Sequence, residues 1–486
     1  MESNGNTPGN TAAAPVDADS IGNSLQSPPS QNQRPGQGQP GAPGQGKRRF
    51  RRRRRRGRGR GEGGGGDSDN RSHDNRSHHE DRPHVDAAPV DGNATSGNVV
   101  TPPAPNGEMN GAPRPAQQPI STVAVEGILE INDRGNGFLR RRERTFLPTH
   151  DDAEVPRHLI DRERLRMGVM LTAQAQRRNG RLQVVKVDSA EGEPLSKAWE
   201  HTQFANLTSI DPLRRIHLST GRGAPDMVTR VLDLVAPIGF GQRGLIVSPP
   251  KAGKTILLQR IAHGISENHP EAMLMLLLVD ERPEEVTDMK RSVKGEVFAS
   301  SADRPTDEHL RIAEMVLERS KRMVERGKDV IVLLDSITRL ARAYNKEVES
   351  SGRTLSGGVD SRALERPKRL FGAARCAEEG GSLTILGTTL VDTGSRMDEV
   401  IFEEFKGTGN MEVVLDRGLA EKRIFPAINI PASGTRKEEK LFTPKEYEKV
   451  KKLRQSLYGM KPIEAMERLI KGLGEFDSND EFLEHL

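Results

Sequence analysis

The stretch GLIVSPPKAGKT, Gly244 to Thr255, decides the fold. Gly253-Lys254-Thr255 closes the pattern of a phosphate-binding loop, in which Gly, any four residues and Gly-Lys-Ser/Thr lie between an apolar strand and a helix. Leu245, Ile246 and Val247 supply the strand. Ser248 occupies the position of the first glycine, and Pro249-Pro250 stiffens a loop that ordinarily relies on glycine freedom. The loop alone leaves two readings open: a broken nucleotide site, or the mark of a particular kind of motor.

Its surroundings extend the pattern. TILLQRIAHGI (Thr255–Ile265) places Ile256, Leu257, Ile261 and Ile265 at helical spacing. Strand, loop and helix therefore fall in the order a phosphate site needs, with helix-terminal N–H groups aimed at anionic oxygens. Lys254 is expected to reach the terminal phosphates and the Thr255 hydroxyl to hold Mg²⁺; Lys251 adds a second positive charge. LMLLLVDERPEE reads as an apolar strand running into Asp280-Glu281-Arg282, and DVIVLLDSITR as a second one ending in Asp335, a Walker B aspartate for Mg²⁺. Between them, HLRIAEMVLERSKRMV sets Leu310, Ala313, Val316, Leu317, Ser320 and Val324 on one helical face. Strand, amphipathic helix, strand builds a buried parallel sheet, and ligands of such sheets sit beyond the carboxyl ends of the strands. Glu281 is the candidate for polarising the attacking water. Every group expected to touch phosphate or metal is present.

Composition divides the 486 residues. Residues 1–120 are rich in Gly, Pro, Asn, Gln and Ser with no periodic apolar run, and are expected to be a disordered tail. Within them KRRFRRRRRRGRGR (Lys47–Arg60) holds eleven basic residues in fourteen and no acid, a composition suited to nonspecific contact with RNA phosphates. DNRSH occurs twice in tandem (Asp69–His73, Asp74–His78), followed by His79 and His84, and reads as low complexity in preference to a metal tract. The net charge of +5 says little beyond this local run. Cys376 is the only cysteine, which excludes an internal disulfide, fits a reducing compartment and suggests a small core residue. MESNGNTPGN offers no apolar segment for secretion, and AMLMLLLV (Ala272–Val279) is too short to span a bilayer. The expectation is a soluble cytoplasmic protein with no membrane partner. Over residues 123–190, VAVEGILEI, GNGFLR, VMLTAQAQ and LQVVKVDS alternate as short strands with close turns, the pattern of a small OB or cold-shock barrel.

Several longer segments now bear on the open question. PPKAGKT, DERPEEV, LLDSITRLARAYN, SGGVD, RPKRLFGAAR, GGSLTILGTTLVDTGSRMDEVIFEEFKGTGNMEV and EKRIFPAI with SGTRKEE closely resemble the bacterial transcription termination factor Rho family, from about Glu126 to the C-terminus. That family is a ring-shaped hexameric RNA helicase and translocase with a RecA-type motor. It writes its phosphate loop with Ser- or Ala-Pro-Pro and no first glycine, so the resemblance implies a particular motor and not a broken site.

The resemblance further implies nucleotide contacts from Gly239, Phe240, Gly241, Gln242, Arg243 and Gly244, and from Lys251, Ala252, Gly253, Lys254, Thr255, Ile256 and Arg282. It makes Phe425 the residue stacked on the base, Arg339 the Walker B-linked arginine, and Arg436 the arginine finger donated across a subunit interface. ATP and Mg²⁺ are the implied cofactors, the metal on Thr255 and Asp335. Two loops would line the RNA channel: residues 351–360, with Arg353, Thr354, Leu355, Ser356, Gly357 and Gly358, and residues 392–399, with Arg396 where the family usually has lysine. In the barrel, Gly135, Asn136, Gly137, Phe138, Leu139 and Arg140 match the family's RNA-binding run. Asn136 there replaces an aromatic, and Glu154 stands where a stacking tyrosine is expected, which should loosen or re-target the primary RNA site. The small helical domain that usually precedes the barrel is not visible, and the Arg/Gly tail occupies its place.

The expected architecture is thus an α/β RecA-type P-loop motor preceded by a small OB/cold-shock-like β-barrel and a long disordered N-terminal tail. Its parts are a tail (1–120), an RNA-binding barrel (121–190), a linker (191–225) and an ATPase/translocase domain (226–486). The implied activity is that of an RNA-dependent ATPase and ATP-dependent RNA helicase. It would bind nascent single-stranded RNA and terminate transcription as a homohexamer, with RNA polymerase and elongation factors as partners. Intact Lys254, Thr255, Glu281, Asp335 and Arg436 argue against a passive RNA binder with a vestigial motor. The barrel and channel loops argue against a ring ATPase of the rotary synthase type.

Overall fold

The computed structural model describes residues 121–220, 226–348 and 356–486, with Ser356 described in its backbone alone. The expected tail, its Arg/Gly run and His tract, and Arg353, Thr354 and Leu355 of the first channel loop lie outside the described residues.

The barrel comprises β1 (Val123–Ile131), β2 (Gly137–Arg140), β3 (Ala153–Val155), helix α1 (Arg157–Arg162), β4 (Met170–Arg178), β5 (Arg181–Ala190) and a short β6 (Glu193–Pro194). Strands run in the order β3-β2-β1-β4-β5-β6, and β3 also meets β5 through Glu154 and Gln183, which closes the sheet. Alternation decides the interior: Leu171, Ala173 and Ala175 are fully buried, while the intervening Thr172 and Gln174 are not. Asn179-Gly180, both at positive φ, form the two-residue turn between β4 and β5.

A connector follows, with α2 (Leu195–Ala198), β7 (Ser209–Ile210) and β8 (Arg215–Ile216). The motor then runs through α3 (Met227–Val235), β9 (Ile238–Gly239), β10 (Arg243–Ser248), α4 (Lys254–Asn268), β11 (Met273–Glu281), α5 (Pro283–Ser292), β12 (Glu296–Ser301), α6 (Thr306–Val324) and β13 (Asp329–Asp335). It continues with α7 (Ile337–Glu347), α8 (Glu365–Gly372), β14 (Arg375–Ala377), β15 (Ser382–Leu390), α9 (Arg396–Lys406), β16 (Met411–Val414), α10 (Arg417–Glu421) and β17 (Gly434–Thr435). Helices α11 (Pro444–Leu457), α12 (Pro462–Leu473) and α13 (Asn479–Glu484) complete it.

The motor sheet has the order β12-β11-β13-β15-β10-β16-β17, parallel from β12 to β16. Its inner strands are buried on both faces, which is why β11 reads as a continuous apolar run. The α6 face expected from the sequence is the one that packs: all six residues are buried. The described part of the expected linker, residues 191–220, pairs with the motor. Ile210 pairs with Cys376 on β14, and β8 pairs with β9, so the connector is woven into the motor. The barrel also docks on α6 through ion pairs of Arg166 with Glu325 (2.9 Å) and Arg319 with Glu191. Cys376 is half-buried on β14, between β7 and β15.

Asp233 on α3 holds the incoming chain. Fully buried, it accepts the amides of Leu218 (3.2 Å) and Ser219 (2.9 Å), with Arg215 at 4.0 Å. Burial pushes its carboxyl up to about 6 from 3.8, against the opposite pull of Arg215 and the two amides. A carboxyl raised in this way stabilises the fold below its unfolded pKa, and that stability is lost as pH rises through the folded value. Asp233→Asn, which cannot ionise, should therefore gain up to roughly 3 kcal/mol in stability relative to the parent between pH ~4 and pH ~7.5. Thermal melts across that range read the relative gain; a pH-independent difference would contradict it.

Candidate nucleotide and RNA sites

Ser248 is the last residue of β10, buried and extended, and its hydroxyl donates to the Pro249 carbonyl at 3.0 Å. The left-handed positions of the loop fall later, at Lys251 (φ 64°) and Gly253 (φ 91°). A first glycine is therefore not needed here, because the strand carries through the position where the chain would otherwise have to turn. Gly253 then caps α4, and Lys254 begins the helix.

Four strand ends converge on Lys254. Its ammonium donates to both oxygens of Asp335 at 2.6 and 2.7 Å and lies 3.3 Å from Oε2 of Glu281. Thr388 on β15 donates to the same Asp335 carboxylate at 2.6 Å. Arg339, one turn into α7, donates to Glu281 at 3.1 Å and also to the Asp280 carbonyl. Burial alone would lower the Lys254 pKa, but the two carboxylates outweigh it and the net shift is upward. For Glu281 burial is the largest cause and raises the carboxyl, with Lys254 pulling down and Asp335 pushing up.

Glu281 is aimed inward by a bulge. The register of β11 against β12 shifts between Val279 and Glu281, and the extra residue, Asp280, sits at φ 55°. Asp280 is left partly exposed, and Glu281, 2% exposed, turns toward Lys254. Bulges beside sites commonly re-aim a side chain in this way.

The donor set fits Mg²⁺. Asp335 is a carboxylate with a fixed orientation, and Thr255 supplies a hydroxyl in the first turn of α4. Hard oxygen donors of this kind, few in number, suit an ion that keeps waters and takes the rest of its shell from phosphate. No cluster of three or more His, Cys, Asp or Glu among the described residues offers a self-contained metal cage.

A cavity of about 520 Å³ opens over the loop, walled by Lys251, Lys254, Thr255, Glu281, Arg282 and Arg339. Next to it lies a more apolar cavity of about 300 Å³ with Gly253, Ile256, Leu257, Phe425 and Pro426 in its wall. Ile256 and Phe425 are 54% and 46% exposed, an arrangement that gives a flat base two apolar surfaces. Ile256, expected on the helix's apolar face, thus turns to the cavity and away from the core.

The residues Gly239 to Gly244 are elsewhere. They precede β10 or begin it, so five residue rises of about 3.3 Å separate Arg243 from Ser248. Gly241 packs too tightly on Arg375 and Cys376 to admit a Cβ, and Gln242 is buried. Within one chain this run does not reach the phosphate loop. It lies instead beside the segment bearing Arg436: Gln242 donates to Asn410 (2.7 Å), whose carbonyl accepts the Arg436 amide (2.9 Å). Arg436 itself is exposed.

The two segments expected to line a channel approach each other at Gly357 and Arg396. Gly357, at φ 79°, lies so close to the Arg396 carbonyl that a Cβ would stand 2.8 Å from it. Arg396 is exposed in the first turn of α9, where a cation opposes the helix dipole. Behind it Asp398, buried, is clamped by Arg342 (2.6 and 2.8 Å) and Thr393 (2.6 Å).

In the barrel the run Gly135 to Arg140 splits by alternation. Gly135, Asn136 and Phe138 remain accessible in part, whereas Gly137, Leu139 and Arg140 are buried. Arg140 is committed within the barrel: it pairs with Glu130 and, at 2.6 Å, with Asp152, and its guanidinium lies 4.8 Å from the Phe138 ring. Leu139 belongs to the barrel core. Phe138 and Glu154 are direct cross-strand neighbours, so a carboxylate stands beside the one aromatic of the run.

Sequence reasoning missed Thr388, Arg342 and the Asp280 bulge. A threonine within the apolar run LTILGTT was the available signal, since a buried hydroxyl requires a partner. Arg342 lies three residues after Arg339 on the same helix, a spacing that marks a shared face. The bulge left no signal that periodicity could carry.

A phosphate loop, a Walker B aspartate, a buried glutamate and a linking arginine at the carboxyl ends of a parallel sheet define a RecA-type P-loop ATPase, here joined to an OB-like barrel. Residues 228–435 match the nucleotide-binding domain of the ATP synthase alpha/beta family, and residues 125–195 match the Rho termination factor RNA-binding domain. The transcription termination factor Rho of Buchnera aphidicola is 54% identical over 363 residues, 74% of this chain and 87% of that protein. The Rho proteins of Pseudomonas aeruginosa (368 residues, 75% and 88%) and Escherichia coli (363 residues, 74% and 87%) are each 53% identical. The chain belongs to the transcription termination factor Rho family. Among solved structures, an ATPase from a bacterial type III secretion system aligns with a TM-score of 0.46 at 22% identity, covering 57% of this chain and 81% of that one.

Proposed function

We propose that the protein is an ATP-driven RNA translocase that terminates transcription, acting as a ring hexamer in the cytoplasm on RNA emerging from RNA polymerase. The observation that carries this reading is the Lys254–Asp335–Glu281–Arg339 constellation in one chain with a barrel of the Rho RNA-binding type.

The residues divide the chemistry. Incoming phosphate oxygens compete with Asp335 and Glu281 for the Lys254 ammonium, and the loop amides and helix α4 supply the remaining positive field. Thr255 and Asp335 would hold Mg²⁺, which when bound would supply charge neutralisation on the phosphates. Released from Lys254 and kept in place by Arg339, Glu281 accepts the proton of the attacking water. Its raised pKa makes it a better base than an exposed glutamate. Phe425 and Ile256 take the base, and Arg436, exposed on its loop, reaches the site of a neighbouring subunit. Helix α7 joins the two ends of the machine, because Arg339 bonds Glu281 and Arg342 bonds Asp398 behind the channel loop.

Primary RNA contact rests on Phe138 and the accessible edge of the barrel. Phe138→Ala should weaken single-stranded RNA binding by about 1–3 kcal/mol with its salt slope kept. Arg140→Ala should instead destabilise the fold by about 1–3 kcal/mol, because it removes the cation shared by two buried carboxylates and leaves Glu130 to Arg311 and Asp152 to Thr149. Equal effects of the two variants on RNA affinity, measured on folded protein, would contradict this division.

The function itself is tested on a stalled RNA polymerase elongation complex. The protein with ATP should release the transcript, and a non-hydrolysable ATP analogue should not support release. Release that proceeds equally with the analogue, or none with ATP, would overturn the reading.

A further inference from the structure

The loop that carries Arg436 is held far more firmly than an exposed loop requires. Gly434 and Thr435 form β17 against Met411 and Glu412, and the Thr435 hydroxyl donates to the Pro237 carbonyl at 2.6 Å. Arg454 donates to the Ser433 carbonyl at 2.7 Å and to that of Val235. The Arg436 amide is taken by the Asn410 carbonyl at 2.9 Å. Among the described residues the Arg436 guanidinium has no hydrogen bond or ion pair. A fixed backbone with an uncommitted charge is what a group that must meet a neighbour's phosphate requires.

Asn410 is where these restraints join the phosphate-loop strand. Its Oδ1 accepts both the Gln242 side-chain amide (2.7 Å) and the Arg243 backbone amide (2.9 Å), and its own amide donates to the Arg243 carbonyl (2.9 Å). Gln242 is 1% exposed and also reaches the Asn410 carbonyl at 3.2 Å. The first residue of β10 is thereby stapled to the residue that holds Arg436.

We infer that Asn410 and Gln242 are positioning residues for Arg436, and that the Gly239–Gly244 run serves catalysis by seating the arginine finger and not by touching its own chain's nucleotide. This rests on the reading of Arg436 as a finger acting across the subunit interface. An alanine at 410 removes the acceptor of two amides and lets the Arg436 loop shift. Such a displacement lowers turnover without altering the pocket that binds ATP.

The test is a double-mutant cycle on the full-length ring with saturating single-stranded RNA, with kcat and KM for ATP measured separately. Asn410→Ala should lower kcat roughly ten- to hundred-fold with KM little changed. Asn410→Asp keeps an acceptor for both amides and should restore most of the rate. In an Arg436→Ala background, Asn410→Ala should cost nothing further, which a merely structural role would not produce. Losses that multiply in the double variant, or an Asn410→Ala enzyme with unchanged kcat beside a crippled Arg436→Ala enzyme, would overturn the inference alone. An Arg436→Ala enzyme of normal kcat would overturn the finger reading and this inference with it. If Asn410→Ala does not assemble, Gln242→Ala runs the same cycle with Oδ1 of Asn410 still bonded to the Arg243 amide.

Discussion

Arg436→Ala should bind ATP normally and hydrolyse it roughly a thousand-fold more slowly or worse in the presence of RNA. The charge is exposed and sits on a rigidly held loop at a distance from its own chain's phosphate loop, so it contributes nothing to that chain's binding pocket. Its effect is confined to the transition state, where a guanidinium neutralises charge on the phosphoryl group in transfer. The expected signature is a fall in kcat with nucleotide Kd preserved. A rise in Kd at constant kcat would place Arg436 in ground-state binding and contradict the assignment.

Glu281→Gln should lower kcat by roughly 10²- to 10⁴-fold, again with nucleotide binding preserved. The amide keeps the shape of the carboxylate and an acceptor for Arg339, but cannot take a proton. Burial holds the Glu281 carboxyl above the usual range, so in the parent enzyme kcat should climb with pH as Glu281 ionises. The variant should lack that limb of the pH profile. The two variants also complement each other. In a mixed ring, an interface that takes its finger from a Glu281→Gln subunit and its base from an Arg436→Ala subunit is intact. Mixing should therefore recover ATP hydrolysis that neither variant shows alone. Absence of recovery in rings shown to be mixed would mean that Arg436 acts within its own chain.

Much of this was legible in the residues. The motor sheet announced itself because strands buried on both faces are continuously apolar, as in β11 and β13. Helix α6 was readable because its apolar face repeats at helical spacing. Lys254, Asp335 and Glu281 could be placed because a strand's carboxyl end is where such a sheet presents its ligands. The connector was not legible: β7 and β8 are two residues each, too short for any periodicity, and their pairing with β14 and β9 is wholly non-local. The barrel's RNA-binding run was read as one motif, but a strand sends alternate side chains to opposite faces, and so Arg140 and Leu139 went inside. Gly239 to Gly244 resembled nucleotide contacts, yet only the folded chain reveals that they pack against Asn410 at the far end of β10.

The coupling of channel and nucleotide site is the central claim, carried by one helix with Arg339 at one end of the path and Arg342 at the other. Its most direct measurement is the steady-state ATP hydrolysis rate of the purified full-length protein, titrated with single-stranded RNA. The account predicts a low basal rate that rises steeply and saturates with RNA. A rate that stays constant across the titration, with RNA demonstrably bound, would contradict it.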